Sequence, residues 1–287
     1  MEKQLSIIIP HYNSPKKLDR LLSSIPEKEE IEIIVSDDKS TENLYKYSEI
    51  VKKHHSVTFL SAEKNTGAGG ARNRGLKVAT GKWVLFADSD DYFTEDMWEA
   101  VAEYFDSEVD VVLFPPTSVI EGTNELADRH NTSEKIIRDF RDIHDEKSVL
   151  TARFMMVLNL SRMIRRSVIE DNNITFDEGM RYFEDALFAM NTGVYAGEIV
   201  ASDKVIYVIT KAENTETYNK SKESDRLRKK CSYIRAKRLK KTLTKNERKV
   251  LNAGNELVLR RWKEYRQDFY SRLVYGVYFR IFGTRLG

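Results

Sequence analysis

The residues best suited to chemistry in this sequence are two aspartates that follow an apolar run. Asp88 and Asp90 stand two apart, directly after Trp83-Val84-Leu85-Phe86-Ala87. In an extended backbone both side chains point to the same side, where they can share a hard cation through oxygen ligands. A divalent ion held in this way completes its shell with water and phosphate oxygens, which suits a nucleoside diphosphate. A short motif is weak by itself, so the run is also compatible with a polar turn that caps the next helix.

A second candidate is the glycine-rich stretch from Gly67 to Gly75. It departs from the dinucleotide-binding pattern G-x-G-x-x-G, because Arg72 stands where the third glycine belongs. We interpret it as a turn entering a helix whose N-terminal amides, together with Arg72, approach a phosphate or its nucleoside. A plain glycine-rich connector with surface arginines fits this segment equally well.

Polar residues also follow two other apolar runs. Asp37 and Asp38 come after Ile31–Val35, and Tyr12 comes shortly after Leu5–Ile9. One carboxylate at such a place can accept hydrogen bonds from a base or ribose while its neighbour braces the loop or caps a helix. Tyr12 can stack on a nucleobase, although a tyrosine in such a loop serves packing as often.

The second half of the chain offers one further pair of carboxylates. Glu184 and Asp185 fall in the first turn of a predicted amphipathic helix with apolar residues at 183, 187, 188 and 190. Acidic residues there favour the helix dipole. One of the two could also serve as a general base that removes a proton from an acceptor hydroxyl.

Apolar runs and helical patterns alternate along the first half of the sequence. The runs are Leu5–Pro10, Ile31–Ser36, Ser56–Leu60, Trp83–Ala87 and Val109–Phe114, and the helical patterns cover about 15–25, 41–53, 69–79 and 94–106. Runs this apolar are typical of strands covered on both faces, and the alternation predicts an α/β fold with a mainly parallel sheet. Ligands of such sheets collect at the C-terminal ends of the strands, which is where the polar residues of the first half lie.

Composition limits the location of the protein. No stretch is apolar for the roughly 18 residues that a membrane-spanning helix needs, and the N-terminus lacks a secretory cleavage pattern. The single cysteine, Cys231, fits a reducing compartment. We therefore expect a cytoplasmic protein, with peripheral attachment to the inner face of the plasma membrane as an option.

Charge is distributed unevenly along the chain. Residues 220–287 carry 21 Lys and Arg against 6 Asp and Glu, whereas residues 1–219 carry 26 against 39. Basic residues lie at helical density over 226–241, and aromatic residues alternate with arginine over 269–282. Such a tail can adsorb to an anionic membrane surface without spanning it. Helices packed on the acidic body or on a second subunit explain the pattern equally well.

Taken together, the motifs resemble the family 2 glycosyltransferases with the GT-A fold, which include bacterial capsule, O-antigen and exopolysaccharide transferases. The resemblance spans about residues 4–210. It implies a GT-A domain over 1–219, with a nucleotide-sugar half at 1–114 and an acceptor and base half at 115–219, followed by a basic helical region at 220–287. The motifs that carry it are Ser6–Asn13, Ile33–Thr41, Gly69–Gly75, Phe86–Asp91, Phe176–Gly179 and Phe183–Phe188.

The resemblance assigns one group of residues to the donor. It implies that Pro10 and Tyr12 border the nucleobase and that Asp38 holds it, as uracil. Arg72 and Asn73 are then expected near the donor.

A second group belongs to the reaction itself. The resemblance implies that Asp88 binds the ribose, that Asp90 ligates Mn²⁺ or Mg²⁺ between the phosphates, and that Asp185 is the base of an inverting attack. The predicted reaction moves a sugar from a UDP-sugar to a hydroxyl of a glycan or lipid-linked glycan, in the synthesis of a cell-surface polysaccharide.

Two positions depart from the family pattern. Lys39 replaces a glycine that commonly follows the two aspartates, which is expected to alter that turn. Basic or histidine residues often hold the diphosphate after the strand at 205–210, and here only Lys211 is available for that role.

Other functions remain open at this stage. A nucleotidyltransferase that makes an activated sugar would also use carboxylates and a metal, but the loop after the first strand lacks the glycine and lysine of a triphosphate site. Nucleic-acid binding through the tail is the other alternative, and the acidic strand ends disfavour it. Residues 115–147 begin with two prolines and look irregular, so we expect this region to close over the acceptor.

Overall fold

A computed structural model of the chain describes residues 2–123, 125–180, 182–212 and 222–252. Internal contacts divide the chain into two units, Met1–Asn219 and Lys220–Gly287. Every residue for which a site role was predicted lies in the first unit.

Strands and helices alternate through the first unit. The described strands are β1 (Leu5–His11), β2 (Ile31–Asp37), β3 (Thr58–Ser61), β4 (Trp83–Phe86), β5 (Tyr92–Phe93), β6 (Val111–Leu113), β7 (Thr117–Ile120), β8 (Arg162–Arg165), β9 (Ile199–Ala201) and β10 (Tyr207–Lys211). The described helices are α1 (Pro15–Ser23), α2 (Leu44–Lys53), α3 (Gly67–Leu76), α4 (Met97–Ala102), α5 (Asn131–Asp142), α6 (Glu146–Phe154), α7 (Arg166–Asp171), α8 (Glu184–Tyr195), α9 (Lys222–Thr242) and α10 (Lys245–Asn252).

A seven-stranded sheet forms the core in the order β3-β2-β1-β4-β8-β6-β9. The pairs β1–β2, β1–β4, β2–β3 and β6–β9 are parallel, so the predicted α/β sheet is confirmed. The exception is β8, which is antiparallel to both of its neighbours and separates β4 from β6. Its sequence, Arg-Met-Ile-Arg, gives no apolar run, and this strand was not predicted.

Burial follows position in the sheet. β1 and β4 lie in the middle of the sheet and are buried along their whole length, as their apolar sequences predicted. β3 is an edge strand, as is β9 at the other end of the order, and the four residues of β3 are exposed or half-buried. The expectation that all of these runs are covered on both faces is therefore wrong for β3, which lies at the periphery of the sheet, where its residues stay partly open to solvent.

A second, smaller sheet stands next to the C-terminal end of β4. It consists of three strands in the order β5-β10-β7, with β10 parallel to β7 and antiparallel to β5. The segment 115–147 is more regular than the sequence suggested, because it contains β7, the whole of α5 and the start of α6. The proline pair at 115–116 precedes a strand and not an open loop.

The described part of the second unit is a pair of helices, α9 and α10. One stripe of α9 and its continuation is buried, at Cys231, Arg235, Leu239 and Leu243, whereas Lys237, Lys240 and Lys241 are exposed. The predicted helix over 226–241 is confirmed, and the aromatic segment 269–282 lies outside the described residues. Within the part of the chain that the structure describes, no helix is long and apolar enough to cross a membrane.

Candidate active site

Three carboxylates meet in the turn after β4. Asp88, Asp90 and Asp91 each offer an oxygen atom, and these atoms lie within 4.8 Å of one another. The predicted convergence of Asp88 and Asp90 is thus found, and Asp91 joins them. Asp91 belongs to the same acidic run, but its role as a third neighbour was not predicted. The next element is the strand β5 and not a helix, so the alternative of a helix-capping turn is wrong.

The small sheet fixes two of these aspartates. The backbone amide of Thr210 in β10 donates to Asp91 Oδ1 at 2.7 Å. The Asp88 amide donates to the hydroxyl of Tyr207, in the same strand, at 2.8 Å. A strand that is 119 residues away in sequence therefore sets the shape of the acidic turn, because short hydrogen bonds to buried groups hold them in one arrangement.

Burial and mutual repulsion make this turn electrostatically strained. Burial, followed by the charge of Asp88, raises the pKa of the Asp90 carboxyl. The pKa of Asp91 is raised well above its usual range by burial and then by the charges of Asp90 and Asp88. Like charges this close disfavour joint ionisation, and a bound cation would relieve the repulsion. Hard oxygen ligands of this kind fit Mg²⁺ or Mn²⁺.

Arg72 connects the acidic turn to the helix α8. The guanidinium donates from Nη2 to Asp88 Oδ1 at 2.6 Å and from Nη1 to Glu184 Oε1 at 3.3 Å. It also lies 5.3 Å above the ring of Phe176. Arg72 is buried, with 6% of its surface exposed, so the alternative of surface arginines in a plain connector is wrong for this residue.

The two acidic residues that begin α8 differ in their surroundings. Glu184 is buried, and burial together with the charge of Asp185 raises the pKa of Glu184 to about 7, against the lowering effect of Arg72. Asp185 is half-buried, and its Oδ1 accepts the amide of Ala186 at 2.7 Å. The residue before them, Phe183, has a φ of 66°, a left-handed conformation that is unusual for a bulky side chain and often marks functional sites.

Asn73 fixes the segment that leads to α8. Its Nδ2 donates to the carbonyl of Phe176 and to Glu178 Oε1, both at 3.0 Å, and its Oδ1 accepts the amide of Phe176 at 2.9 Å. The ring of Phe176 stacks on Phe188 of α8 at 4.0 Å between centroids. Asn73 therefore joins α3 to the acidic end of α8, a structural role that the prediction of a donor contact did not include.

The ends of β1 and β2 are tied together by a buried histidine. His11 Nδ1 lies 2.8 Å from Asp37 Oδ1, and its ring stacks on Tyr47 at 5.1 Å. Asp37 also accepts hydrogen bonds from the amide and hydroxyl of Ser40. Burial raises the pKa of the Asp37 carboxyl, but the contact with His11 and then those with Ser40 outweigh burial and lower it. Asp37 thus braces the loop, as one of the two neighbouring aspartates was expected to do. His11 was not singled out from the sequence, where nothing marks its partner.

Asp38 is held by the N-terminus of α3. Its carboxylate accepts hydrogen bonds from the amides of Thr66 and Gly67, from the Thr66 hydroxyl and from Arg74 Nη2, at distances from 2.6 to 3.0 Å. Four donors match the roughly four acceptor positions of a carboxylate. The next residue, Lys39, has a φ of 64°, so it takes up the glycine-like conformation without a glycine.

The remaining predicted donor residues lie around the same edge. Pro10 is buried within β1, and Tyr12, just beyond it, has 48% of its surface exposed. Lys211 ends β10, next to Thr210, and its Nζ lies 2.6 Å from Asp128 Oδ1. Lys211 therefore has a carboxylate partner in this structure.

A mostly parallel α/β sheet, with an acidic turn after its central strand and a second acidic pair next to a buried arginine, is the arrangement expected of nucleotide-sugar transferases with the GT-A fold. Residues 6–172 match the family described as Glycosyl transferase family 2, and the chain belongs to this family. The resemblance seen in the sequence is thereby confirmed. The family match also counts against the nucleotidyltransferase alternative.

Two similar proteins are named as poly(ribitol-phosphate) glycosyltransferases. The chain is 32% identical over 216 residues to the poly(ribitol-phosphate) beta-N-acetylglucosaminyltransferase TarS of Staphylococcus aureus, covering 73% of this chain and 36% of that protein. It is 29% identical over 221 residues to a poly(ribitol-phosphate) beta-glucosyltransferase of Bacillus spizizenii, covering 73% of this chain and 33% of the relative. The chain thus spans about a third of the length of these two relatives.

The fold is also similar to a solved structure of TarS. The crystal structure of S. aureus TarS 1–349 in complex with UDP-GlcNAc matches with a TM-score of 0.64 and 26% identity. The match covers 86% of this chain and 70% of that one. The GT-A fold predicted from the sequence is therefore confirmed.

Proposed function

We propose that this chain transfers a sugar from a UDP-sugar to a hydroxyl of a glycan or polyol-phosphate acceptor, with inversion at the anomeric carbon. The observation that carries the proposal is the acidic turn of Asp88, Asp90 and Asp91, joined through Arg72 to the acidic end of α8. Support for a UDP-linked donor comes from TarS, whose structure was solved with UDP-GlcNAc.

The proposed metal site is the acidic turn. Asp90 would ligate Mn²⁺ or Mg²⁺, and Asp91 would complete or orient the site from its place against Thr210. When bound, the ion would neutralise charge on the departing diphosphate. Asp88 has an Arg72 partner on Oδ1, and its side chain keeps 34% of its surface exposed, which leaves room for the ribose contact proposed for it.

The donor residues act on both sides of this turn. Pro10 and the exposed Tyr12 would border the base, and Asp38 would accept its imide N–H. Arg72 would act on the donor through Asp88, because its guanidinium already donates a hydrogen bond to the Asp88 carboxylate. Asn73 would act indirectly, through the segment that it fixes at 176–178.

Lys211 is proposed to meet the diphosphate at the end of β10. Its neighbour Thr210 contacts Asp91, so the backbone of Lys211 is adjacent to the acidic turn. The ammonium group would have to leave Asp128 to reach a phosphate oxygen. Because Asp128 is exposed, with 70% of its side-chain surface open, the pair is screened by water and this exchange is inexpensive.

Asp185 is proposed as the general base. It is less buried than Glu184, which is occupied by Arg72. A carboxylate in the first turn of α8, next to the Glu184 that Arg72 joins to the acidic turn, would remove the acceptor proton as the diphosphate leaves from the acidic turn. Glu184 would position Asp185, since the two residues are adjacent in the first turn of α8.

The acceptor is proposed to be a cell-surface polymer with exposed hydroxyl groups. The two relatives named above carry poly(ribitol-phosphate) in their names, so a polyol-phosphate chain of the teichoic acid type is the first acceptor to test. Residues 115–147 are proposed to close over this acceptor, and a deletion of residues 121–133 tests that role. It should impair acceptor use more than UDP binding, and equal loss of both would count against the assignment.

The decisive experiment is calorimetric titration of UDP, GDP, CDP and ADP, with and without Mn²⁺, into wild-type protein, Asp90→Ala and a matched control. Asp142→Ala removes an exposed aspartate that pairs with Arg141 and lies outside the site. We expect metal-dependent UDP binding in the wild type and in Asp142→Ala, with loss in Asp90→Ala. Selective GDP or CDP binding would overturn the uracil assignment, and the absence of metal-dependent binding to any nucleotide would overturn the transferase proposal.

The base assignment has its own test. Asp185→Asn should bind UDP as the wild type does but lose at least about 100-fold in transfer rate, a typical contribution of a general base. NMR of the product would report inversion or retention of the anomeric configuration. A retained configuration would contradict the single-displacement chemistry proposed here.

A membrane role is proposed for residues 220–287. The exposed lysines of α9 would adsorb to an anionic leaflet and bring the active site to a lipid-linked acceptor. Cosedimentation with phosphatidylglycerol vesicles should be strong at low salt, fall at high salt and be absent with phosphatidylcholine. Equal recovery with both lipids would contradict the electrostatic mechanism.

A further inference from the structure

The side chain of Arg74 reaches from the last turn of α3 back to the end of β2. Its Nη2 donates to Asp38 Oδ1 at 2.8 Å, its Nη1 donates to the Thr66 hydroxyl at 2.7 Å, and its Nε donates to the Ser36 hydroxyl at 3.2 Å. The Thr66 hydroxyl in turn donates to Asp38 Oδ1 at 2.9 Å. One guanidinium thus holds the carboxylate both directly and through a neighbour.

Asp38 itself is well placed but heavily occupied. Its side chain is 4% exposed, and both of its oxygens accept the Thr66 amide, at 3.0 and 2.9 Å. The Gly67 amide donates to Oδ2 at 2.6 Å. These backbone donors are fixed by α3, whereas a hydroxyl can rotate about its C–O bond. The Thr66 hydroxyl is therefore the donor that can turn away when a ligand N–H arrives at Oδ1.

That exchange requires a second contact to keep the carboxylate in place. Arg74 supplies it, because its planar fork bonds Asp38 and Thr66 at the same time and would hold both groups while the hydroxyl turns. A lysine presents a point charge and cannot hold both partners in one plane. The Arg74 side chain is turned towards β2 with 24% of its surface exposed, and its Nη2 also donates to the Asp37 carbonyl at 3.4 Å.

We propose that Arg74 is a positioning residue for nucleobase recognition, which orients the Asp38 carboxylate and allows Thr66 to exchange with the imide N–H of uracil. The inference rests on the proposed role of Asp38 as the group that accepts this N–H. Cytosine presents a bare nitrogen acceptor at the same ring position, so a correctly oriented carboxylate accepts uracil and repels cytosine.

The test is the ratio of the UDP and CDP dissociation constants, measured by calorimetry with Mn²⁺ for wild type, Arg74→Gln, Arg74→Lys and Asp38→Asn. Arg138→Gln is the matched control, because Arg138 is an exposed arginine of α5 that pairs with Glu134. UDP and CDP share their ribose and diphosphate, so damage to the fold or to the phosphate site weakens both equally. A positioning role changes their ratio.

We expect Arg74→Gln to lower the preference for UDP over CDP about tenfold, the effect of one well-placed hydrogen bond on affinity. Arg74→Lys should restore little of it, and Arg138→Gln should leave it unchanged. An equal loss of UDP and CDP affinity in Arg74→Gln, beside a changed ratio in Asp38→Asn, would overturn the role of Arg74 alone. An unchanged ratio in Asp38→Asn would overturn the proposed base contact, and the inference with it.

A double-mutant comparison gives a second readout. Thr66→Val removes the hydroxyl that Arg74 contacts, so its effect on the UDP to CDP ratio should not add to that of Arg74→Gln. Fully additive effects would contradict a shared mechanism. Circular dichroism and thermal melting show whether each variant is folded under the conditions of the binding measurements.

Discussion

Glu184→Gln should change how the stability of the first unit depends on pH. Glu184 is buried against Arg72 and beside Asp185, and the pKa of its carboxyl is raised from an ordinary 4.5 to about 7. The folded state therefore holds this proton over a pH range in which the unfolded state has lost it. By linkage, the free energy of unfolding falls as the pH rises from about 4.5 to 7 and is level above that.

The size of the effect follows from the shift. A difference of about 2.5 pKa units corresponds to about 3 kcal/mol of lost stability between pH 4 and pH 8. Glutamine resembles the protonated glutamic acid and does not titrate. The variant should therefore match the wild type within about 1 kcal/mol near pH 4.5 and exceed it by about 3 kcal/mol at pH 8.

The assay is urea unfolding at intervals from pH 4.5 to 8, followed by tryptophan fluorescence. A Trp262→Phe background restricts the signal to Trp83 and Trp98, which both lie in the first unit. Glu170→Gln is the matched control, because Glu170 is exposed and pairs with Arg166 at the surface. Asp185→Asn removes a charge that raises the pKa of Glu184, so the pH range over which stability falls should be narrower in this variant.

One result would refute this reasoning. If the stability curves of wild type and Glu184→Gln run parallel from pH 4.5 to 8, Glu184 ionises in the folded protein as it does in the unfolded chain. In that case Arg72 compensates for burial completely, and the pKa of Glu184 is not raised in the folded protein. A wild-type curve that rises with pH relative to the variant would mean that the ion pair outweighs burial.

Three further substitutions follow from close contacts. Gly75→Ala would place a methyl group on the Cγ2 of Ile8 in β1, and urea unfolding should show a loss of about 1–3 kcal/mol. Tyr207→Phe removes the hydroxyl that accepts a backbone amide of the acidic turn, which should cost about 1–3 kcal/mol in the same assay and weaken Mn²⁺ binding in calorimetry. Gly69→Ala would bring a Cβ within 3.0 Å of Glu184 Cγ, so transfer assays should show kcat reduced severalfold while the UDP dissociation constant stays within about twofold. Unchanged kcat in the last variant would mean that this end of α8 can shift without consequence.

Much of the fold was readable from the sequence because the central strands are continuous apolar runs. β1 and β4 are buried throughout, and their sequences show it. The residues after these strands could be predicted to meet, because parallel strands end at one edge of a sheet. The antiparallel β8 was not predicted, since its two arginines interrupt any apolar pattern.

The structure alone decided which polar residues touch. The sequence places Arg72 in a glycine-rich segment, but its pairing with Asp88 and Glu184 depends on how α3 and α8 pack, 112 residues apart along the chain. In the same way, His11 and Asp37 become partners only when β1 and β2 align in register. Side-chain pairs between distant elements leave no periodic signal, because either partner alone is an ordinary polar residue.

Local patterns in the sequence predicted the class of fold, the family and the edge of the sheet at which the candidate site lies. These predictions were possible because a buried strand and the place where it ends are both recognisable from a short run of consecutive residues. The contacts within the candidate site became known from the tertiary structure: Asp91 lies beside Asp88 and Asp90, and Arg72 pairs with both Asp88 and Glu184. The tertiary structure also shows that Arg74 and the start of α3 hold Asp38. This contact depends on how α3 packs on β2, so neither segment alone predicts it.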